Sequence, residues 1–202
     1  VWKSARVYKP LPLLNEKLQK RIVLSGYWQS EKYFSDVAEI LRTELTPKEP
    51  LRPQNEELYN KIRNTNSVCV TIRRGDFMND KNKGTFYICD NTYFRNALTY
   101  IKKRLPDCTF FGFSDDIEWV KNNMEFPGEV YYESGVDPVW EKLRLMSACK
   151  HFVLSNSSFS WWSQYLSNEK KKIVVAPDIW YKTGKHAKAD LYQDDWELIH
   201  IG

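Results

Sequence analysis

The chain has 202 residues, 42% of them hydrophobic and 15% aromatic, which is enough for a sizeable core and too apolar for a disordered tail. Thirty basic residues against 26 acidic ones leave a net charge of +4 that is interspersed along the sequence. That balance suits an anionic small ligand and gives no argument for a nucleic-acid partner.

Residues 1–60 read as mostly helical. "NEKLQKRIVL" and "SEKYFSDVAEILRTEL" carry apolar residues at three- and four-residue spacing, with Phe34, Val37, Ala38 and Leu41 as the second stripe and Ser30 as its N-cap. "TPKEPLRP" (Thr46 to Pro53) places three prolines in eight residues and reads as a connector. From residue 67 the rhythm changes. "SVCVTI", "CTFFGF", "EVYY", "HFVLS" and "KIVVA" read as five strands. They alternate with four helices in "NTYFRNALTYIKKRL", "DDIEWVKNN", "DPVWEKLRLMSACK" and "SFSWWSQYL". Strands separated by helices require crossover connections, and so a parallel sheet with helices on both faces. The expected organisation is a helical portion over 1–60 and a Rossmann-like α/β unit over 61–202.

The four cysteines, Cys69, Cys89, Cys108 and Cys149, form no C-x-x-C pair and read as buried free thiols of a reducing, cytoplasmic compartment. His151, His186 and His200 show no metal spacing. No run approaches the ~18 apolar residues of a membrane span, and no signal peptide is legible. The basic spots Lys102 to Leu105 and Asn168 to Lys172 read as solvated helix ends, with peripheral contact to anionic lipid on the inner face of a membrane as the alternative. The chain opens on Val1 within an amphipathic stretch, which reads as a fragment whose natural beginning lies upstream.

Ligands of open α/β sheets bind outside the carboxyl ends of the strands, so the residues just after each strand matter most. "SVCVTI" is followed by Arg73, Arg74, Gly75 and Asp76; "CTFFGF" by Ser114, Asp115 and Asp116; "HFVLS" by Asn156, Ser157, Ser158, Phe159 and Ser160. Guanidinium forks match phosphate oxygens. The serine-rich turn opens a helix whose first N–H groups suit an anion or a ribose. An acid at 115 or 116 can accept from a ribose hydroxyl or a base N–H. Together these point to a nucleotide carrying a diphosphate. Each signal has a plain structural alternative. Arg-Asp pairs stabilise loops, Ser-Asp-Asp is an ordinary helix start, and Trp161 and Trp162 are read as core. Arg74-Gly75-Asp76 as an adhesion tripeptide predicts an exposed loop tip, and Asn156 as a glycan acceptor is discounted at a strand–helix turn.

"VTIRRGDF", followed by "HFVLSNSSFSWWSQYL", resembles the α-1,2-fucosyltransferases of glycosyltransferase family 11. So do "LSGYWQSEKYF", "FGFSDDIEWVK", "LRLMSACKHFVLSNSSFSWW" and "PDIWY", in family order. The resemblance implies a GT-B type architecture of two Rossmann-like halves. The implied activity is inverting transfer of L-fucose from GDP-β-L-fucose to the 2-hydroxyl of a terminal galactoside, without an obligatory metal or other cofactor. Carried over, Arg73 and Arg74 face the diphosphate, Ser158, Phe159 and Ser160 form the nucleotide-side turn, and Asp115 lies near guanine or ribose. Asn156 and Thr71 belong to the same donor site. Asp76 is read as the partner that fixes an arginine's direction, with general base as the alternative. Two departures stand out: Thr71 occupies the position where the family motif has histidine, and no glycine-rich opening unit is present. A non-catalytic sugar-nucleotide or glycan-binding module is therefore the rival reading. A protein O-fucosyltransferase shares the donor but belongs to a secretory compartment. The acceptor and the oligomeric state are not legible in the sequence.

Overall fold

In the computed structural model the described residues are 30–86, 89–182 and 190–201, together with a two-residue parallel pairing of Trp2–Lys3 with Leu24–Ser25. The expected helix "NEKLQKRIVL" otherwise lies outside the described residues.

Six parallel strands form one sheet: β1 (Asn66–Ile72), β2 (Cys108–Ser114), β3 (Val130–Tyr132), β4 (His151–Val153), β5 (Val174–Pro177) and β6 (Glu197–Ile199). Their spatial order is 3-2-1-4-5-6, the order of doubly wound dinucleotide-binding sheets. β1 is central, pairing with β2 from Asn66↔Cys108 to Ile72↔Ser114 and with β4 from Val68↔His151 to Val70↔Val153. A strand covered on both faces carries mostly apolar residues, which is why "SVCVTI" and "CTFFGF" read as near-continuous runs, with Ser67, Thr71 and Thr109 buried among them. Alternate residues serve the two faces. Cys69, Phe111, Phe113, Phe152, Leu154, Val174 and Ala176 share one cluster, while Val68, Val70, Ile72, Phe110, Val153 and Val175 share the other.

The helices divide accordingly. α4 (Asn91–Arg104) and α5 (Ile117–Asn123) cover the second face through Phe94, Ala97, Leu98, Ile101, Ile117 and Val120. α2 (Glu56–Asn64), α6 (Val139–Ser147) and α7 (Ser158–Tyr165) cover the first through Ile62, Leu145, Met146, Trp161 and Tyr165. Asp90 caps α4 by accepting from the Tyr93 amide at 2.9 Å, and Lys102, Lys103 and Arg104 complement its C-terminal dipole. All five expected strands and all four expected helices after residue 66 are present. Trp161 and Trp162 pack as expected: Trp161 stacks on Tyr165 and Trp162 on Phe34.

Three features differ from the sequence reading. The expected helix over 30–45 is α-helical only in α1 (Ala38–Glu44); Glu31–Tyr33 and Ser35–Val37 are 3₁₀ turns, and the Ser30 side chain makes no capping bond. Phe34 causes the break: it adopts a non-helical backbone and inserts among Trp161, Trp162 and Tyr165. α2 runs through position 60, with Ile62 in the core. β6 and the short helix α3 (Asp80–Phe86) were not foreseen, because β6 is three residues at a sheet edge and "DKNKGTF" has no apolar stripe.

Candidate functional site

The strand order reverses between β1 and β4, which run parallel, so their carboxyl ends flank a crevice. A cavity of about 750 Å³ opens there. Its lining includes Thr71, Arg73, Asp76, Asp115, Asn156, Ser158, Phe159 and Ser160, so every expected site residue but one borders the same space. The exception is Arg74.

The two arginines part because successive residues leaving a strand point to opposite sides. Arg73 turns into the cavity. Its Nε and Nη2 donate to Asp76 Oδ1 at 3.1 and 2.7 Å, and its Nη1 lies 2.9 Å from Asp115 Oδ2. Arg74 turns away. Its guanidinium lies 3.4 Å from the centroid of the Trp119 ring, with Nε 3.4 Å from Asp116 Oδ2. Asp115 ties the turn together by also accepting from the Arg74 backbone N–H at 2.9 Å. Gly75 makes room for this packing, since a Cβ there would come within 2.3 Å of Asp115 Oδ2 and push that carboxylate aside. Asp116 is the N-cap of α5, accepting from the Trp119 amide, so the two acids of "FSDD" divide between site and helix start. Gly75–Met78 forms a 3₁₀ turn at the sheet margin rather than an adhesive loop tip.

The β4 side carries no charge. The first α-type bond of α7 is donated by Trp161 to the Ser157 carbonyl. The amides of Ser158, Phe159 and Ser160 therefore precede the helical ladder. Ser158 is exposed, Phe159 half-buried, and Ser160 buried with its hydroxyl 3.2 Å from that of Ser155. Asn156 is buried, and its amide donates to the carbonyls of Phe86 (2.9 Å) and Trp180 (3.0 Å), clipping α3 and the segment after β5 to the crevice. Burial of Asn156 agrees with discounting it as a glycan acceptor. Thr71 Oγ1 accepts from the Ser155 amide at 3.0 Å and donates to the Val153 carbonyl at 3.4 Å. Its hydroxyl staples β1 to the end of β4.

Sequence reasoning missed the far wall of the cavity. Glu133, Asp137 and Lys142 line it. Glu133 accepts from the Ser114 amide at 3.2 Å and from Lys142 Nζ at 2.9 Å; Asp137 Oδ1 accepts from Arg52 at 2.7 Å. Burial would raise the Asp137 pKa, but hydrogen bonds from Ser134 and Asn55 and the Arg52 charge outweigh it and hold the carboxyl below the usual range. Glu133 directly follows β3, so extending the after-strand rule to "EVYY" would have found it. Phe77, Phe86, Trp180 and Tyr181 also line the cavity.

Among the described residues no group of three His, Cys, Asp or Glu side chains is placed to hold a metal ion, and no helix is long and apolar enough to cross a membrane. All four cysteines are free and buried. A second cavity, about 360 Å³, lies beside the N-terminal end of β4. Two of its cations are engaged by main-chain carbonyls: Lys150 by Thr65, and Arg144 by Pro47 and Glu49.

A doubly wound sheet with an arginine and a helix start facing each other across its switch point is a framework suited to a phosphate-bearing ligand. The family model for glycosyl transferase family 11 matches residues 16–200, and the chain belongs to that family. It is 33% identical over 193 residues to an alpha-1,2-colitosyltransferase of Escherichia coli, covering 92% of this chain and 65% of the relative. It is 30% identical over 144 residues to the O-antigen biosynthesis glycosyltransferase WbnK of Escherichia coli, covering 69% and 47%. It is 27% identical over 157 residues to human galactoside alpha-(1,2)-fucosyltransferase 1, covering 71% and 42%. The chain thus spans about two thirds or less of the length of these relatives. No solved structure matches it.

Proposed function

We propose that the chain carries the donor site of an inverting transferase that moves L-fucose, or a close deoxyhexose, from its GDP-β-linked form to the 2-hydroxyl of a terminal galactoside. The observation that carries this reading is Arg73, held by Asp76 and Asp115 at the switch point and bordering a cavity shared with the first turn of α7. In-line displacement at the anomeric carbon requires that the charge growing on the leaving diphosphate be met, that the acceptor hydroxyl lose its proton, and that the two be aligned. Arg73 and the α7 amides meet the first need. Asp76 and Asp115 aim Arg73, and Arg74 acts on the diphosphate only through the turn it fixes. The relatives named for fucosyl and colitosyl transfer support a deoxyhexose donor.

The charge comes from guanidinium and amide groups, so transfer from GDP-fucose to a lactose-type acceptor is expected to persist in EDTA. Arg73→Ala is expected to lower the rate by about 10²–10³-fold. Complete loss in EDTA with recovery on adding magnesium would refute the arginine-for-metal assignment.

One observation favours a second reading, a sugar-nucleotide-binding module that does not itself transfer. Each of the carboxylates lining the cavity is paired with a cation: Asp76 and Asp115 with Arg73, Glu133 with Lys142, and Asp137 with Arg52. No unpaired base stands ready there among the described residues. GDP-fucose binding without transfer to any galactoside would select this reading.

A further inference from the structure

We propose that a row of aromatic rings running out from Arg73 seats the sugar carried on the diphosphate, and that it selects a 6-deoxyhexose by receiving its C6 methyl group. The inference rests on the diphosphate reading of Arg73 given above.

The row begins at the cation. The Arg73 guanidinium carbon lies 5.8 Å from the centroid of the Phe77 ring. Phe77 stacks on Phe86, with centroids 5.1 Å apart and planes 22° apart. Phe86 meets Tyr181 edge-on at 5.7 Å. All three border the cavity. They come from three separate pieces of chain: the 3₁₀ turn after β1, the end of α3, and the segment after β5. Asn156 bonds to the carbonyls of Phe86 and Trp180, and so fixes the second and third pieces relative to each other. A buried polar side chain is thus committed to building an apolar wall.

Phe77 and Phe86 are only half-buried although both are phenyl groups. Stacked apolar rings facing a cavity, with a few fixed polar groups beside them, are the composition of a ligand wall. A hexopyranose esterified to the phosphate that Arg73 grips begins one bond from that phosphate, which brings Phe77, 5.8 Å from the guanidinium, within its reach. Among the exocyclic groups of a 6-deoxyhexose only the C6 methyl gains by leaving water for phenyl surface. A 6-hydroxyl in the same place would lose its water partners and find no hydrogen-bond partner on a phenyl face. Discrimination of this kind in a hydrophobic pocket is bounded near 10²-fold, so a preference of about 10- to 100-fold is expected.

The test is calorimetric titration of the whole chain with GDP, GDP-L-fucose and GDP-L-galactose, the last differing from the second only by the 6-hydroxyl. The wild type should bind GDP-L-fucose at least about 10-fold more tightly than GDP-L-galactose. Phe77→Ala and the milder Phe86→Leu should each bring the two ligands within about threefold while GDP itself shifts less than that. An unchanged fucose-to-galactose ratio in both variants, or no preference in the wild type, would overturn the proposal. So would parallel loss of GDP and GDP-L-fucose, because the rings would then be supporting Arg73 rather than the sugar. A wild type that binds no GDP would strike the diphosphate reading first, and this inference would fall with it.

Discussion

The turn after β1 and the turn after β4 face the same cavity with opposite chemistry. The first concentrates Arg73, Arg74, Asp76, Asp115 and Asp116 in a small space, and almost all of that charge is spent internally. The second is neutral, yet it keeps the amides of Ser158, Phe159 and Ser160 ahead of the helical ladder. Charge density therefore does not measure availability to a ligand. The charged turn is a frame that aims one guanidinium. The neutral turn contributes dipoles that need no counter-ion and require no ion pair to be broken when an anion arrives.

Substitutions can break this contrast, and the largest effect on stability is expected at a residue that looks like a ligand. Asn156→Ala leaves one buried and one part-buried carbonyl without their donor and should cost about 2 kcal/mol in a denaturant titration. Ser158→Ala, exposed on the same turn, should change stability by less than about 0.5 kcal/mol. Equal costs would mean that the clip to Phe86 and Trp180 contributes little. Gly75→Ala sharpens the argument on the charged side. The new methyl must displace the Asp115 carboxylate, releasing Arg73 from one of its two holders, and GDP binding should weaken about 10-fold, equivalent to ~1.4 kcal/mol. Wild-type affinity would show that Asp76 alone aims Arg73. A milder effect on binding is expected from Asp76→Asn, which keeps an oxygen acceptor for Arg73 and removes only the charge. The Asp76 side chain is about half exposed at 53%, so its repulsion of a diphosphate is screened. Removing that charge should tighten GDP by about two- to fivefold, in keeping with the worth of exposed ion pairs. Weaker binding would mean that orienting Arg73 outweighs the repulsion.

Much of this was legible in the sequence. Near-continuous apolar runs marked the central strands, because a doubly covered strand buries both of its faces, and the after-strand rule placed Arg73, Asp115 and Ser158–Ser160 on one margin. Adjacency misled where the two arginines were read as a pair, since neighbouring residues at a strand end diverge and Trp119, 45 positions later, captures the second. Asn156 and Thr71 were expected to touch ligand. Their polar atoms bond to main-chain groups from elements far away in sequence, which no local pattern reveals. The aromatic wall was hidden for the same reason. Phe77, Phe86 and Tyr181 belong to three segments that only the fold brings together.

The division between the two arginines is tested most directly by calorimetric titration of GDP into the wild type, Arg73→Ala and Arg74→Ala side by side. Loss of the cavity-facing guanidinium should weaken GDP by about 10- to 100-fold, the worth of charge-assisted bonds to a phosphate, while Arg74→Ala should stay within about threefold of wild type. Equal losses in the two variants, or a greater loss at Arg74, would contradict the account.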